Sequence, residues 1–195
     1  MASKIKRTQK ENLEETSGRD MFQTPNYATD LIVPFLDKRL IVWECAAGKG
    51  KITNRLKHHR FSVISSELQT PTEFIHLNFL TDKLPDAWHL NIKNFCIVTN
   101  PPYSLKKKFY EKCMEYKVPF ALLIPADYSG WVIRALQNGA EKVIPDHRIN
   151  FITPTGKSEE TGHSANYHSL WLTYGLNIGK SETFVELTKE MRKNI

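Results

Sequence analysis

Two short segments hold residue types that can do chemistry. The first is Glu44-Cys45-Ala46-Ala47-Gly48-Lys49-Gly50, where an apolar run ends in an acid and passes directly into a glycine turn. Glycines at such a turn let the backbone pass close to a ligand in the crevice beyond the carboxyl end of a first strand. Glu67 follows Gly48 by 19 residues, at the end of a second β-rich run, where a carboxylate can accept both hydroxyls of a ribose. An adenosine-type ligand is expected. A dinucleotide fingerprint would place a third glycine where this chain has Thr53, and no G-x-x-x-x-G-K-[ST] phosphate loop occurs. A ligand without phosphates therefore fits better. S-adenosylmethionine has that chemistry: a ribose, an adenine and a charged amino-acid end.

The second segment is Asn100-Pro101-Pro102-Tyr103, which follows the apolar run FCIVT without a break. Here the sequence resembles the class I S-adenosylmethionine-dependent methyltransferases that carry a (D/N)-P-P-(Y/F/W) motif and act on a planar amino or amide nitrogen. The resemblance implies a catalytic set of Asn100, Pro101, Pro102 and Tyr103, and the residue types suit the task. An exocyclic amino nitrogen shares its lone pair with the ring and is a poor nucleophile. The Asn100 oxygen and the Pro101 carbonyl can accept its two N–H bonds, and both contacts strengthen as the nitrogen becomes tetrahedral and positive. Pro102 locks its own φ and holds Pro101 extended, which aims that carbonyl in advance. Tyr103 offers a ring on which a flipped-out base can stack. No general base is required.

The resemblance extends further along the chain. Phe22-Gln23-Thr24-Pro25 is similar to the family segment that meets the methionine end of the cofactor, and its order ahead of the glycine turn and NPPY looks like the gamma-type N6-adenine arrangement. The pattern as a whole looks most like the small adenine DNA methyltransferases of phages and mobile elements. The implied cofactor-binding residues are Thr24, Pro25, Glu44, Ala46, Gly48, Gly50, Glu67, Asn78 and Phe79. Such enzymes commonly carry Asp-Phe-Leu after the third strand, the acid reading the adenine amino group, where this chain has Asn78-Phe79-Leu80. Arg148-Ile149-Asn150-Phe151 resembles the later segment that sets an aromatic beside the target base, and a core role for Phe151 is the alternative. Lys106 and Lys107, just beyond NPPY, are placed to meet phosphates, with a solvated helix face as the alternative.

Elements of regular structure must hold these segments. Residues 39–45 (RLIVWEC) read as a buried parallel strand, 51–59 as a helix with Ile52 and Leu56 four apart, 61–65 as a second strand and 74–77 as a short third. Residues 95–99 are the fourth strand, 104–116 a helix with Phe109, Cys113 and Tyr116 on one face, 120–124 the fifth strand and 131–137 a helix. Strands alternating with helices predict an α/β fold. The resemblance implies a Rossmann-like class I methyltransferase fold: a mostly parallel seven-stranded sheet, helices on both faces and an antiparallel C-terminal strand. Runs at 141–144, 149–152 and 168–174 read as that antiparallel finish. A polar stretch at 154–166 reads as a long loop.

Residues 1–20 alternate Lys, Arg, Glu, Gln and Thr and read as a flexible basic arm; residues 21–195 read as a single domain with no separate target-recognition domain. With 41% hydrophobic residues the chain can bury a core, which excludes a disordered polymer. No apolar run approaches the ~20 residues of a membrane span, and the first residues lack the apolar stretch of a secretory signal, so a soluble, cytoplasmic protein is expected. Cys45, Cys96 and Cys113 form no C-x-x-C pair and read as reduced thiols; His163 and His168 lack a second ligand at metal spacing, so no metal is expected.

Lys and Arg exceed Asp and Glu by 27 to 21, a balance that favours a polyanionic partner. N6-adenine methylation of nucleic acid is the leading expectation, with DNA ahead of RNA. Sequence preference would be read by the 154–166 loop and the arm, or supplied by a partner protein. The same acceptor chemistry also suits an RNA adenine or guanine amino group or a protein glutamine amide. A non-catalytic subunit of the same fold would tend to lose the glycines or NPP, and this chain keeps both.

Overall fold

The fourth strand shows how the sequence builds the domain. In Phe95-Cys96-Ile97-Val98-Thr99 every residue is buried, and alternate side chains join two different apolar clusters. A strand with no polar face must be covered on both sides, so the sheet has to be sandwiched by helices. The computed structural model describes residues 22–69, 72–152 and 167–193. The arm expected at 1–20 and the loop expected at 154–166 lie outside the described residues.

Five α-helices and eight strands are described, with three-residue 3-10 turns between some of them. The helices are α1 (Asn26–Asp30), α2 (Lys51–His58), α3 (Asp86–Leu90), α4 (Lys106–Tyr116) and α5 (Gly130–Gln137). The strands are β1 (Ile41–Glu44), β2 (Val63–Glu67), β3 (Ile75–His76), β4 (Phe95–Thr99), β5 (Phe120–Pro125), β6 (Glu141–Pro145), β7 (Ser169–Tyr174) and β8 (Glu182–Val185). They form one sheet in the order β3-β2-β1-β4-β5-β7-β6-β8. Pairing is parallel from β3 to β5; β7 runs antiparallel to both β5 and β6, and β8 returns to parallel beside β6.

On one face, Tyr27 and Ala28 of α1 and Ile52 and Leu56 of α2 pack with Val42, Val98, Leu123 and Trp171. On the other, Phe109 and Cys113 of α4 and Ala135 of α5 pack with Trp43, Ile97, Leu122 and Leu172. The i, i+4 spacing of Ile52 with Leu56 and of Phe109 with Cys113 supplies each helix with its buried stripe. The three cysteines are buried thiols.

The fold class is the expected one, with two corrections. The sheet has eight strands rather than seven, because Glu182–Val185 adds an edge strand that the apolar pattern does not announce. Residues 149–152 are not a strand. The Asn150 N–H donates to the Tyr27 hydroxyl at 2.7 Å, and only Ile152 pairs, forming an isolated bridge with Gln23. That bridge, with two hydrogen bonds of 2.9 Å, fastens the segment ahead of α1 to the segment after β6.

The chain runs outward from β1 to β3 and then crosses back to β4 beside β1, so the strand order reverses between β1 and β4. At such a reversal the loops leaving adjacent strands diverge to opposite faces and open a crevice. The glycine turn leaves β1 and NPPY leaves β4, so the two sequence segments flank one crevice.

Candidate active site

The crevice is a cavity of about 350 Å³. Its wall includes Thr24, Glu44, Ala46, Gly48, Glu67, Asn78, Phe79, Asn100, Pro101, Pro102, Tyr103 and Phe151, which brings together most of the residues singled out in the sequence. Four others are not on the wall. Pro25 is buried at the N-cap of α1, and Gly50 sits one turn into the loop as the N-cap of α2. Lys106 pairs with Asp127 at 3.2 Å, and Lys107 with Glu111 at 3.4 Å.

The turn after β1 depends on its glycines. Gly48 and Gly50 have φ of 53° and 75°, a region costly for residues with a Cβ. A Cβ on Gly50 would also stand 2.6 Å from the Phe74 ring, whereas one on Gly48 would meet nothing within 4 Å. Gly48 therefore leaves the cavity wall open where a ligand would approach. The Gly50 N–H donates to the Ala47 carbonyl at 2.7 Å and closes the turn.

Glu67, at the end of β2, accepts the Gly48 N–H on Oε2 at 2.6 Å and the Gln69 N–H on Oε1 at 2.9 Å. These bonds fix the carboxylate against the turn, and each oxygen keeps a further lone pair for a ligand hydroxyl. Glu44, at the end of β1, is 2% exposed and accepts a short hydrogen bond from the Thr53 hydroxyl, which also lies 2.7 Å from Ser65 Oγ. Burial pushes the Glu44 carboxyl up to about 8; the Thr53 bond opposes the shift and the neighbouring Glu67 charge adds to it. Without a ligand, a proton is the cheapest way to neutralise it.

At the end of β4, Asn100 Nδ2 donates to the Thr24 hydroxyl at 3.2 Å. Its Oδ1 is buried without a hydrogen-bond partner. A buried acceptor left unpaired costs roughly 1–3 kcal/mol, so the site holds an acceptor in reserve. Thr24 is positioned for this contact by the Gln23–Ile152 bridge. After Pro102 the chain enters a 3-10 turn, Tyr103–Leu105, closed by the Leu105 N–H on the Pro102 carbonyl at 2.8 Å. Tyr103 meets Phe151 and Tyr167 edge to face, at centroid distances of 6.2 and 5.7 Å.

Beyond β3, Asn78 Oδ1 caps the Leu80 N–H at 3.0 Å, and Phe79 stacks on Phe109 at 4.9 Å. The wall also contains Leu68, Leu105, Phe109 and Tyr167, which sequence reasoning did not assign to the site. Leu68 directly follows Glu67, and Phe109 lies on the buried stripe of α4, so both had a local signal. Tyr167 had none, because only the position of β7 brings it to NPPY.

No protein-family model matches this sequence, and no curated protein matches it. Solved structures with a similar fold include the 23S rRNA methyltransferase ErmE, at 13% identity over 88% of this chain and 74% of that one, with a TM-score of 0.51. Another is a dimethyladenosine transferase from Plasmodium falciparum, at 11% identity over 78% of this chain and 62% of that one, with a TM-score of 0.48. A third is the glycopeptide N-methyltransferase MtfA in complex with S-adenosyl-L-methionine, at 13% identity over 80% and 78%, with a TM-score of 0.42. The likeness to ErmE is one of fold: the two chains share a Rossmann-like architecture.

Proposed function

We propose that the chain is an S-adenosylmethionine-dependent methyltransferase that modifies the exocyclic N6 of adenine in nucleic acid, with DNA as the polymer. The observation that carries this reading is the unpaired Asn100 Oδ1, an acceptor buried on the cavity wall next to Pro101. Its counterpart is a ligand with an N–H to give.

The donor set suits the cofactor. Glu44 and Glu67 line a cavity at the lower end of the ~300–1,000 Å³ range of small-molecule sites. Two carboxyl groups favour hydroxyls and a cationic end and disfavour a phosphate. Gly48, Glu67, Asn78 and Phe79 would hold the nucleoside, and Thr24, Glu44 and Ala46 the amino-acid end. When bound, S-adenosylmethionine supplies a methyl group on a sulfonium, an electrophile that needs no activating acid.

The chain's own residues then act by positioning. Thr24 engages Nδ2 of Asn100, which leaves Oδ1 to accept one N–H of the acceptor amino group. The Pro101 carbonyl accepts the other. With both hydrogens held, the nitrogen lone pair turns out of conjugation, and each contact strengthens as positive charge develops. The proton is released after transfer, so no tuned base is needed.

Labelled methyl transfer to duplex DNA, single-stranded DNA and RNA, followed by nucleoside digestion, tests the reading. N6-methyladenine in DNA is the expected product. Asn100→Ala should lower turnover by roughly 100-fold or more, the scale for losing one preorganised transition-state contact. Label in no polymer, with the cofactor bound, refutes the reading. RNA is the second reading, because the fold resembles that of a 23S rRNA methyltransferase; the order of the Thr-Pro segment, glycine turn and NPPY favours DNA.

A further inference from the structure

Given the function proposed above, we infer that Tyr167 forms, with Tyr103, the aromatic corner that receives the acceptor base, and that Phe151 is a supporting core residue. Both Tyr167 and Phe151 line the cavity and stand nearly perpendicular to Tyr103, at 77° and 81°. Exposure separates them. Phe151 is 2% exposed and its ring is packed in the cluster of Tyr27, Ile32 and Trp171. Tyr167 is 38% exposed and can be reached from solvent.

The position of Tyr167 is fixed from the next residue. The His168 carbonyl accepts the Ala126 N–H at 2.7 Å, and its imidazole Nε2 lies 2.7 Å from the Pro145 carbonyl. These bonds tie the start of β7 to the ends of β5 and β6, the edge from which NPPY also leaves. A planar base laid on one ring of a perpendicular pair meets the edge of the other, the arrangement aromatic pairs favour.

Binding of an adenine-rich single-stranded DNA oligonucleotide, read by fluorescence anisotropy, tests the corner apart from catalysis. Tyr167→Ala should weaken binding roughly 5- to 100-fold, the size of one base–aromatic stack, and raise the KM for the oligonucleotide. The Kd for S-adenosylhomocysteine should stay within threefold of wild type. Tyr167→Phe keeps the ring and should restore oligonucleotide binding. Tyr167→Leu keeps bulk without a ring and replaces the alanine variant if that one fails to fold. Wild-type oligonucleotide affinity in the alanine or leucine variant overturns the inference, as does a wild-type protein that binds the cofactor but no oligonucleotide. Tyr167-dependent oligonucleotide binding without methyl transfer would instead overturn the proposed function and leave the corner standing.

Discussion

Glu44→Gln isolates the cost of holding a carboxyl group inside the cavity wall. The Glu44 carboxyl titrates at about 8 in the folded chain against an ordinary value of 4.5. Between those two values the folded chain keeps a proton that the unfolded chain has released, so stability falls as pH rises through the window. The full difference, about 3.5 pH units at 1.36 kcal/mol each, amounts to roughly 5 kcal/mol. That is a large share of the 5–15 kcal/mol by which most domains are stable. Glutamine has nearly the same shape, carries no proton to lose, and its Oε1 can still accept the Thr53 hydroxyl. Urea unfolding of both proteins at pH 5, 6.5 and 8.5 should find them within about 1 kcal/mol of each other at the lowest pH. The variant should then gain progressively, to a maximum near 5 kcal/mol at the highest. Other groups titrate in both proteins and cancel in the difference. A wild-type-minus-variant difference that stays constant from pH 5 to 8.5 would refute the reasoning, because it would mean that the Glu44 carboxyl keeps its ordinary value in the folded chain.

Gly48→Ala should lose about 1–2 kcal/mol in thermal or urea unfolding because the residue holds a positive φ, and Gly50→Ala should lose more because its Cβ would also press on the Phe74 ring. Calorimetry with S-adenosylhomocysteine should separate them: Gly48→Ala adds a methyl to open space on the cavity wall and weakens binding more. Trp171→Phe removes the buried bond from the indole N–H to the Ala28 carbonyl, 2.9 Å long, and should cost about 2 kcal/mol in urea unfolding while the fold, read by circular dichroism, persists.

The central sheet was legible because β4 and β5 are continuous apolar runs between turn residues, and such runs have few alternatives. The ends of elements were harder to read. Residues 39 and 40 look like strand, but the Leu40 N–H is taken by the Asp37 carbonyl and Arg39 grips the Asp37 carboxylate, so β1 begins at Ile41. The apolar run at 149–152 looks like a strand too, and no local pattern reveals that the Tyr27 hydroxyl will claim its backbone. β8 is four residues long, largely half-buried and at an edge, so it lacks the alternation that marks a strand. At the candidate site, glycines and prolines could be read because they restrict the backbone locally. Lys106 could not, because its carboxylate partner, Asp127, comes from the loop after β5. Tyr167 shows the same limit: its relation to Tyr103 belongs to the topology and not to either segment.

The insertion of β7 between β5 and β6 also sets an order of assembly. A chain emerging from the ribosome delivers β6 while both of its eventual neighbours, β7 and β8, are still unmade. Until Ser169–Tyr174 appears, β5 and β6 face each other across a gap one strand wide, each with an open hydrogen-bonding edge. Trp171, which anchors Ala28, arrives 143 residues after its partner. Such long-range closure makes folding slow and leaves the half-made sheet prone to pairing with other chains. A message cut short before β7 would therefore direct synthesis of an adhesive intermediate, not of a weaker version of the same domain.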